Sequence, residues 1–234
     1  MGRLVIATLV AFALAPAPAS AACDAARPSD RQAWRGELIA RTGVSAKPGG
    51  ATRRWVSPSD ASALLVLAAR TDREGRCWLQ VRLPTRPNVA EGWVDAGLVQ
   101  LAPTAWRIEV ALHARTVMLL RAGERVARYR AVVGASATPT PRGLFALMDA
   151  YPNDPDDFLG RWVLTLTAHS DVLRRYDGGD GRVALHGRGG ESLREPLGSA
   201  ASHGCVRISN TAIASIVKRI GLAAIPGTPV RIAA

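Results

Sequence analysis

Ser202-His203-Gly204-Cys205-Val206-Arg207, with Leu185-His186-Gly187 upstream, is the stretch on which the reading of this chain turns. A thiol nucleophile needs a base to take its proton and N–H donors for the oxyanion that follows attack. Two imidazoles flank the cysteine in sequence, and the glycine before it lets backbone approach a substrate closely. His186 and Cys205 stand nineteen residues apart, too far for one helix face, so tertiary folding must bring them together. The pattern points to covalent acyl transfer by a cysteine.

Two other readings compete. An isolated cysteine is commonly a small buried hydrophobe with structural histidines nearby. His186, His203 and Cys205 would also make three zinc ligands. The chain lacks both a C-x-x-C pair and H-E-x-x-H, which weighs against metal, but spacing alone leaves all three open.

Two flanking motifs extend the signal: Thr138-Pro139-Thr140-Pro141-Arg142-Gly143, and Gly227-Thr228-Pro229-Val230-Arg231-Ile232. With His186, the gap 187–201 and Ser202-His203-Gly204-Cys205, they make the chain resemble the L,D-transpeptidases of bacterial cell-wall synthesis, whose catalytic domain is of the YkuD type. The resemblance covers about residues 106–232. It implies a β-sandwich, a Cys205 nucleophile and His186 as proton acceptor and donor. It also implies a carbonyl of Gly187 or Arg188 orienting the imidazole, and His203 supporting the loop or the oxyanion. Gly204 and Cys205 would offer oxyanion N–H groups; Ser202 and Gly187 fall beside the substrate. Arg207 is expected either on a substrate carboxylate or in a structural ion pair, and 189–201 as a cleft wall. His113 and His169 fall outside the motif and receive no role.

Implied too is a reaction on peptidoglycan stem peptides. The thiolate attacks the bond between stem residue 3 and D-alanine 4, a thioester forms, and an amine of a neighbouring stem takes the acyl group to give a 3–3 cross-link. The same acyl-enzyme would serve an L,D-carboxypeptidase or anchor a wall protein, and a wall-binding protein with a silent motif is a further alternative. No cofactor or metal is expected.

Residues 1–22 read as a secretory signal peptide: Arg3, an apolar run Leu4–Leu14, and Ala19-Ser20-Ala21 as the cleavage site. That run is too short for a stable span. Ser20-Ala21-Ala22-Cys23 lacks the leucine usual at a lipid-modification site. The expected location is the periplasm or cell-wall space. Three cysteines in an exported chain suggest one free thiol, Cys205, and a Cys23–Cys77 disulfide.

With 234 residues and 48 % hydrophobic content, the chain can form two small cores. Its net charge of +11 suits anionic wall polymers and free carboxylates. Its arginines are scattered and no nucleic-acid-binding module is recognisable, so nucleic acid is not expected, and a monomer is. The fold class is mainly β, with one or two short helices.

Four segments are expected: the signal 1–22, a tether 23–35, a strand-rich domain 36–102 and a catalytic domain 106–233, with Ala102-Pro103-Thr104 as linker. Leu64–Leu67 is a compact apolar run, and Trp78–Leu83 alternates as a half-buried strand does. Trp78, Val81, Leu83, Pro84, Pro87, Asn88, Gly92, Trp93 and Val94 make this segment similar to bacterial Src-homology-3-like domains, small β-barrels that often bind peptidoglycan. Farther on, strands are expected at Ile108–Leu112, Thr116–Leu120, Val126–Val133, Trp162–Leu166 and Val183–Leu185. Arg121–Glu124 reads as a hairpin turn and Tyr151–Phe158 as an exposed loop. Ile213, Ile216, Val217 and Ile220 form one helical stripe, capped by Ser209 or Asn210 and stopped at Gly221.

Overall fold

A computed structural model describes residues 23–24, 27–176 and 178–234. The expected signal peptide, 1–22, lies outside the described residues. Cys23 is joined to Cys77, with a Cα–Cα distance of 5.6 Å, and Cys205 is a free thiol. A lipid on Cys23 would need the sulfur that this bridge uses.

The first sheet is wholly antiparallel. Its strands are β1 (Ala33–Leu38), β2 (Thr42–Ser45), β3 (Thr52–Val56), β4 (Ala63–Thr71), β5 (Cys77–Arg82), β6 (Glu91–Asp95) and β7 (Val99–Thr104), in the order β3-β2-β6-β5-β4-β1-β7. The apolar run in β4 does not alternate because both its faces are covered. Leu64 and Val66 pack with Leu79, Val81 and Val94, while Leu65 and Leu67 pack on Ala146 of the second sheet. Two expectations are corrected here. The tether ends early, since Ala33-Trp34-Arg35 are already strand, paired with β4 and β7. The residues taken as a linker, Ala102-Pro103-Thr104, lie opposite those same three in β7. Proline is tolerated there because β7 is an edge strand.

The second sheet comprises β8 (Trp106–Ala111), β9 (Thr116–Arg121), β10 (Glu124–Arg130), β12 (Gly143–Pro152), β13 (Trp162–His169), β14 (Arg182–His186), β16 (Val206–Arg207) and β17 (Pro229–Ala233), in the order β10-β9-β8-β17-β12-β13-β14-β16. Two short strands, β11 (Val133–Gly134) and β15 (Ala200–Ser202), pair in parallel beside it. The β9–β10 turn has positive φ at Ala122 (51°) and Gly123 (86°), the twist that a two-residue hairpin requires. The strand expected over 126–133 instead starts at Glu124 and ends at Arg130. Strand β12 was not anticipated. It runs through the sheet centre, sending Phe145 and Leu147 into the second core and Ala146 and Met148 towards the first.

The one α-helix among the described residues, α1 (Asn210–Ile220), covers the second sheet with Ile213, Ile216, Val217 and Ile220. Ser209 is its cap, the Oγ accepting from the Ala212 N–H at 3.2 Å, and Gly221 ends it at φ 82°. No helix among the described residues is long and apolar enough to cross a membrane.

Candidate active site

Parallel pairing of β14 with β16 builds the centre. Leu185 lies opposite Val206 and His186 opposite Arg207, so the alternation of side chains puts Ala184, His186, Cys205 and Arg207 on one face. All four line a cavity of about 570 Å³. Folding thus supplies the meeting of His186 and Cys205 that the spacing demanded.

His186 is 1 % exposed, and its Nδ1 lies 2.8 Å from the Gly187 carbonyl and 3.1 Å from that of Leu159. Two acceptors at one ring nitrogen assign the proton to Nδ1 and leave Nε2 as the basic nitrogen. Burial, and then the Arg207 guanidinium, push the imidazole pKa down to about 4 against the pull of the two carbonyls. The ring is therefore neutral at physiological pH.

Cys205 is half-buried. Desolvation pushes its thiol above the usual range, while an Ala184 N–H bond and the Arg207 charge act the other way. The resting pair is a thiol beside a neutral imidazole.

The loop before the cysteine is held from inside. Gly204 has φ 118°, a conformation that favours glycine. Ser202, with no exposed surface, donates through Oγ to the Cys205 carbonyl at 2.6 Å and accepts the Gly204 N–H at 3.2 Å. Thr138 Oγ1 donates to the Ser202 carbonyl (3.2 Å) and Thr140 Oγ1 to that of Gly204 (2.9 Å). The Thr138–Gly143 motif is thus a buttress for the nucleophile loop.

Three site expectations change. Ser202 is buried, braces the loop and does not line the cavity. The Gly204 N–H is engaged by Ser202, leaving the Cys205 N–H as the donor without a protein acceptor among the described residues. Arg207 is 2 % exposed, paired with Glu195, its guanidinium 4.7 Å from the Phe158 ring centre. The ion pair is the structural alternative expected for it, and the guanidinium also lines the cavity. His203 is exposed, stacked on Tyr176 with ring centres 5.2 Å apart. The two histidines and the cysteine do not converge as metal ligands among the described residues.

The cleft walls also differ. Segment 189–201 supplies Glu195 but no cavity lining; the walls come from Tyr151, Asp157–Leu159, Ser170, Leu173, Tyr176 and Gly181–Ala184. The loop read as merely exposed thus faces the site. Asn210, read only as a candidate cap, does more. Its Oδ1 accepts from the Arg161 and Arg188 N–H groups, both at 3.0 Å, and its Nδ2 donates to the Pro155 carbonyl at 3.0 Å. One amide thereby ties together the two loops whose carbonyls hold His186. No local sequence signal marks such a tie, because its partners are all backbone.

A family model for the L,D-transpeptidase catalytic domain, YkuD, matches residues 105–232. The Bacillus licheniformis protein named "Putative L,D-transpeptidase YkuD" is 28 % identical over 162 residues, covering 66 % of this chain and 85 % of that protein. Among solved structures, Bd1075 of Bdellovibrio bacteriovorus is similar at 22 % identity and TM-score 0.41, over 56 % of this chain and 48 % of that one. An L,D-transpeptidase from Mycobacterium smegmatis matches at 17 % identity and TM-score 0.42, over 85 % of this chain and 99 % of its own.

Proposed function

The chain belongs to the L,D-transpeptidase catalytic-domain family, and on that premise we propose that it cross-links peptidoglycan stem peptides by cysteine acyl transfer. The observation that carries the reading is the pair of carbonyls, Gly187 and Leu159, at His186 Nδ1, which leaves Nε2 as the basic nitrogen in the cavity that Cys205 also lines.

In the first half-reaction His186 Nε2 takes the thiol proton as Cys205 Sγ attacks the carbonyl between stem residue 3 and D-alanine 4. The Cys205 N–H receives the developing oxyanion, an interaction worth about 3 kcal/mol per donor. Collapse breaks the peptide bond, and the imidazolium returns its proton to the departing D-alanine amine. An acceptor amine then attacks the thioester, loses a proton to His186 and releases Cys205 as the thiol. Arg207 and the Ala184 N–H lower the cost of thiolate character at the sulfur.

The chain acts after export, in the periplasm or wall space; the Cys23–Cys77 bridge supports an oxidising compartment. The first sheet is an Src-homology-3-like unit, and the basic surface favours anionic wall polymers. The protein works as a monomer. Purified protein incubated with tetrapeptide muropeptides should release D-alanine and yield 3–3 dimers by mass spectrometry, and Cys205→Ala should yield neither. Equal turnover by that variant would refute the reading.

A further inference from the structure

One wall of the cavity is held from the first sheet. The turn between β5 and β6 projects Arg86 and Asn88 onto residues 169–181, the segment joining β13 to β14. Arg86 Nη1 donates to the Ser170 carbonyl at 2.7 Å, and Nη2 to the carbonyls of Leu173 and Asp180, both at 3.1 Å. Asn88 bonds the His169 backbone in both directions: its Nδ2 donates to the carbonyl at 2.6 Å and its Oδ1 accepts the N–H at 2.8 Å. Asn88 Nδ2 also meets Asp171 Oδ1 at 2.7 Å.

The three carbonyls on Arg86 come from both limbs of the segment, so one guanidinium ties its base shut. A planar fork with five donors suits this; a lysine ammonium cannot span the same set. Close approach is enforced at Gly181 (φ 73°), where a Cβ would stand 2.1 Å from the Leu173 oxygen and 3.1 Å from Arg86 Nη2. At the far end, Tyr176 bonds Gly179 across the turn and lays its ring on His203, two residues before the nucleophile. Ser170, Leu173, Tyr176 and Gly181 all line the cavity.

We propose that Arg86 and Asn88 are positioning residues for the acyl-transfer site: they clamp segment 170–181 so that Tyr176 stands over His203 as the wall against which the stem peptide binds. This deepens, and rests on, the reading of the cavity as a stem-peptide site. The clamp acts on binding and not on chemistry, because the contacts that fix His186 and Cys205 come from Leu159, Gly187, Ser202, Thr138 and Thr140, none of which Arg86 touches. The first sheet is then part of the enzyme's working geometry.

The test compares the full-length protein with Arg86→Ala, Arg86→Lys and Tyr176→Ala. Without substrate, amide exchange within 170–181 should quicken about tenfold or more in Arg86→Ala while the β12–β13 amides keep their protection, as expected for loss of charge-assisted bonds to one segment. With tetrapeptide stems, KM should rise about tenfold at a kcat within about twofold of the parent, since binding and not the barrier is affected. Arg86→Lys should recover part of the loss, and Tyr176→Ala, with an exposed side chain, should reproduce the KM effect on an intact fold. Unchanged exchange in 170–181, exchange quickened throughout the molecule, or an unaltered KM in Tyr176→Ala would each overturn the proposal. Should the parent protein turn over no stem peptide, the transfer reading fails, and the exchange experiment still decides whether the clamp exists.

Discussion

His186 and Arg207 stand directly opposite each other across the parallel pair β14 and β16. The His186 imidazole thus has a guanidinium for a neighbour, not the carboxylate that orients histidine in many triads. Carbonyls of Gly187 and Leu159 do the orienting, and the positive charge disfavours an imidazolium. A ring so placed rests unprotonated near neutral pH and takes a proton in the native state only towards pH 4.

Acid should therefore destabilise the fold through this one ring. A histidine is half-protonated near pH 6.5 when unfolded but only near pH 4 in the native state. Between those values the unfolded chain holds a proton that the native chain does not, so stability falls as pH drops through the window. The loss amounts to about 3 kcal/mol at its acid end. Urea unfolding of the parent and His186→Gln at pH 7.5 and 4.5 checks this. The difference between the two should shrink at low pH, and parallel pH dependences would exclude it.

Cys205 should rest as a thiol, so that its alkylation is limited by a small thiolate fraction. Its proton is held more tightly than that of a free cysteine, whose pKa is about 8.5. The thiolate fraction grows with pH, so inactivation by iodoacetamide should be slow at pH 7 and keep rising beyond pH 9. Mass-resolved rates across pH 6–10 give the profile. A midpoint below pH 7 would mean an ion pair with His186.

What the sequence disclosed follows the range of the forces involved. The α1 stripe, its Ser209 cap and its Gly221 stop are set by neighbours a few residues away, and each is found where the pattern put it. The β9–β10 turn is likewise local. Strand β12 escaped because it is buried on both faces between sheets and lies just after Pro139 and Pro141, so it neither alternates nor lacks turn residues at its start. At the site, Cys205 and His186 were singled out by their side-chain chemistry, and folding brings both to one cavity. Leu159 and the Gly204 N–H act through backbone, and their roles depend on what folding places beside them. Arg207 was ambiguous because its partner, Glu195, lies in a stretch that carries no motif.

Reduction of Cys23–Cys77 should weaken the first sheet without silencing the nucleophile. The bridge spans 54 residues of sequence and anchors the segment ahead of β1 to the start of β5. Loop-closure entropy for a ring of that size gives a loss of about 4 kcal/mol as an upper value. Differential scanning calorimetry of Cys23→Ser/Cys77→Ser should show a lower Tm, with Cys205 alkylated at the parental rate. A parental Tm in the variant would show the bridge to be idle.

Asn210→Ala should impair chemistry while sparing binding. The amide contacts Arg161, Arg188 and Pro155, none of which lines the cavity, yet it registers the two loops whose carbonyls fix His186. Releasing them lets the imidazole swing, and small misplacements of a base cost about tenfold to a hundredfold in rate. We expect that fall in kcat at an unchanged KM for tetrapeptide stems. Asn210→Asp keeps an acceptor for the Arg161 and Arg188 N–H groups and places a carboxylate in the first turn of α1, where the helix dipole favours it. It should therefore recover part of the lost rate. If the aspartate variant is as slow as the alanine one, the tie between the loops is not what holds the base.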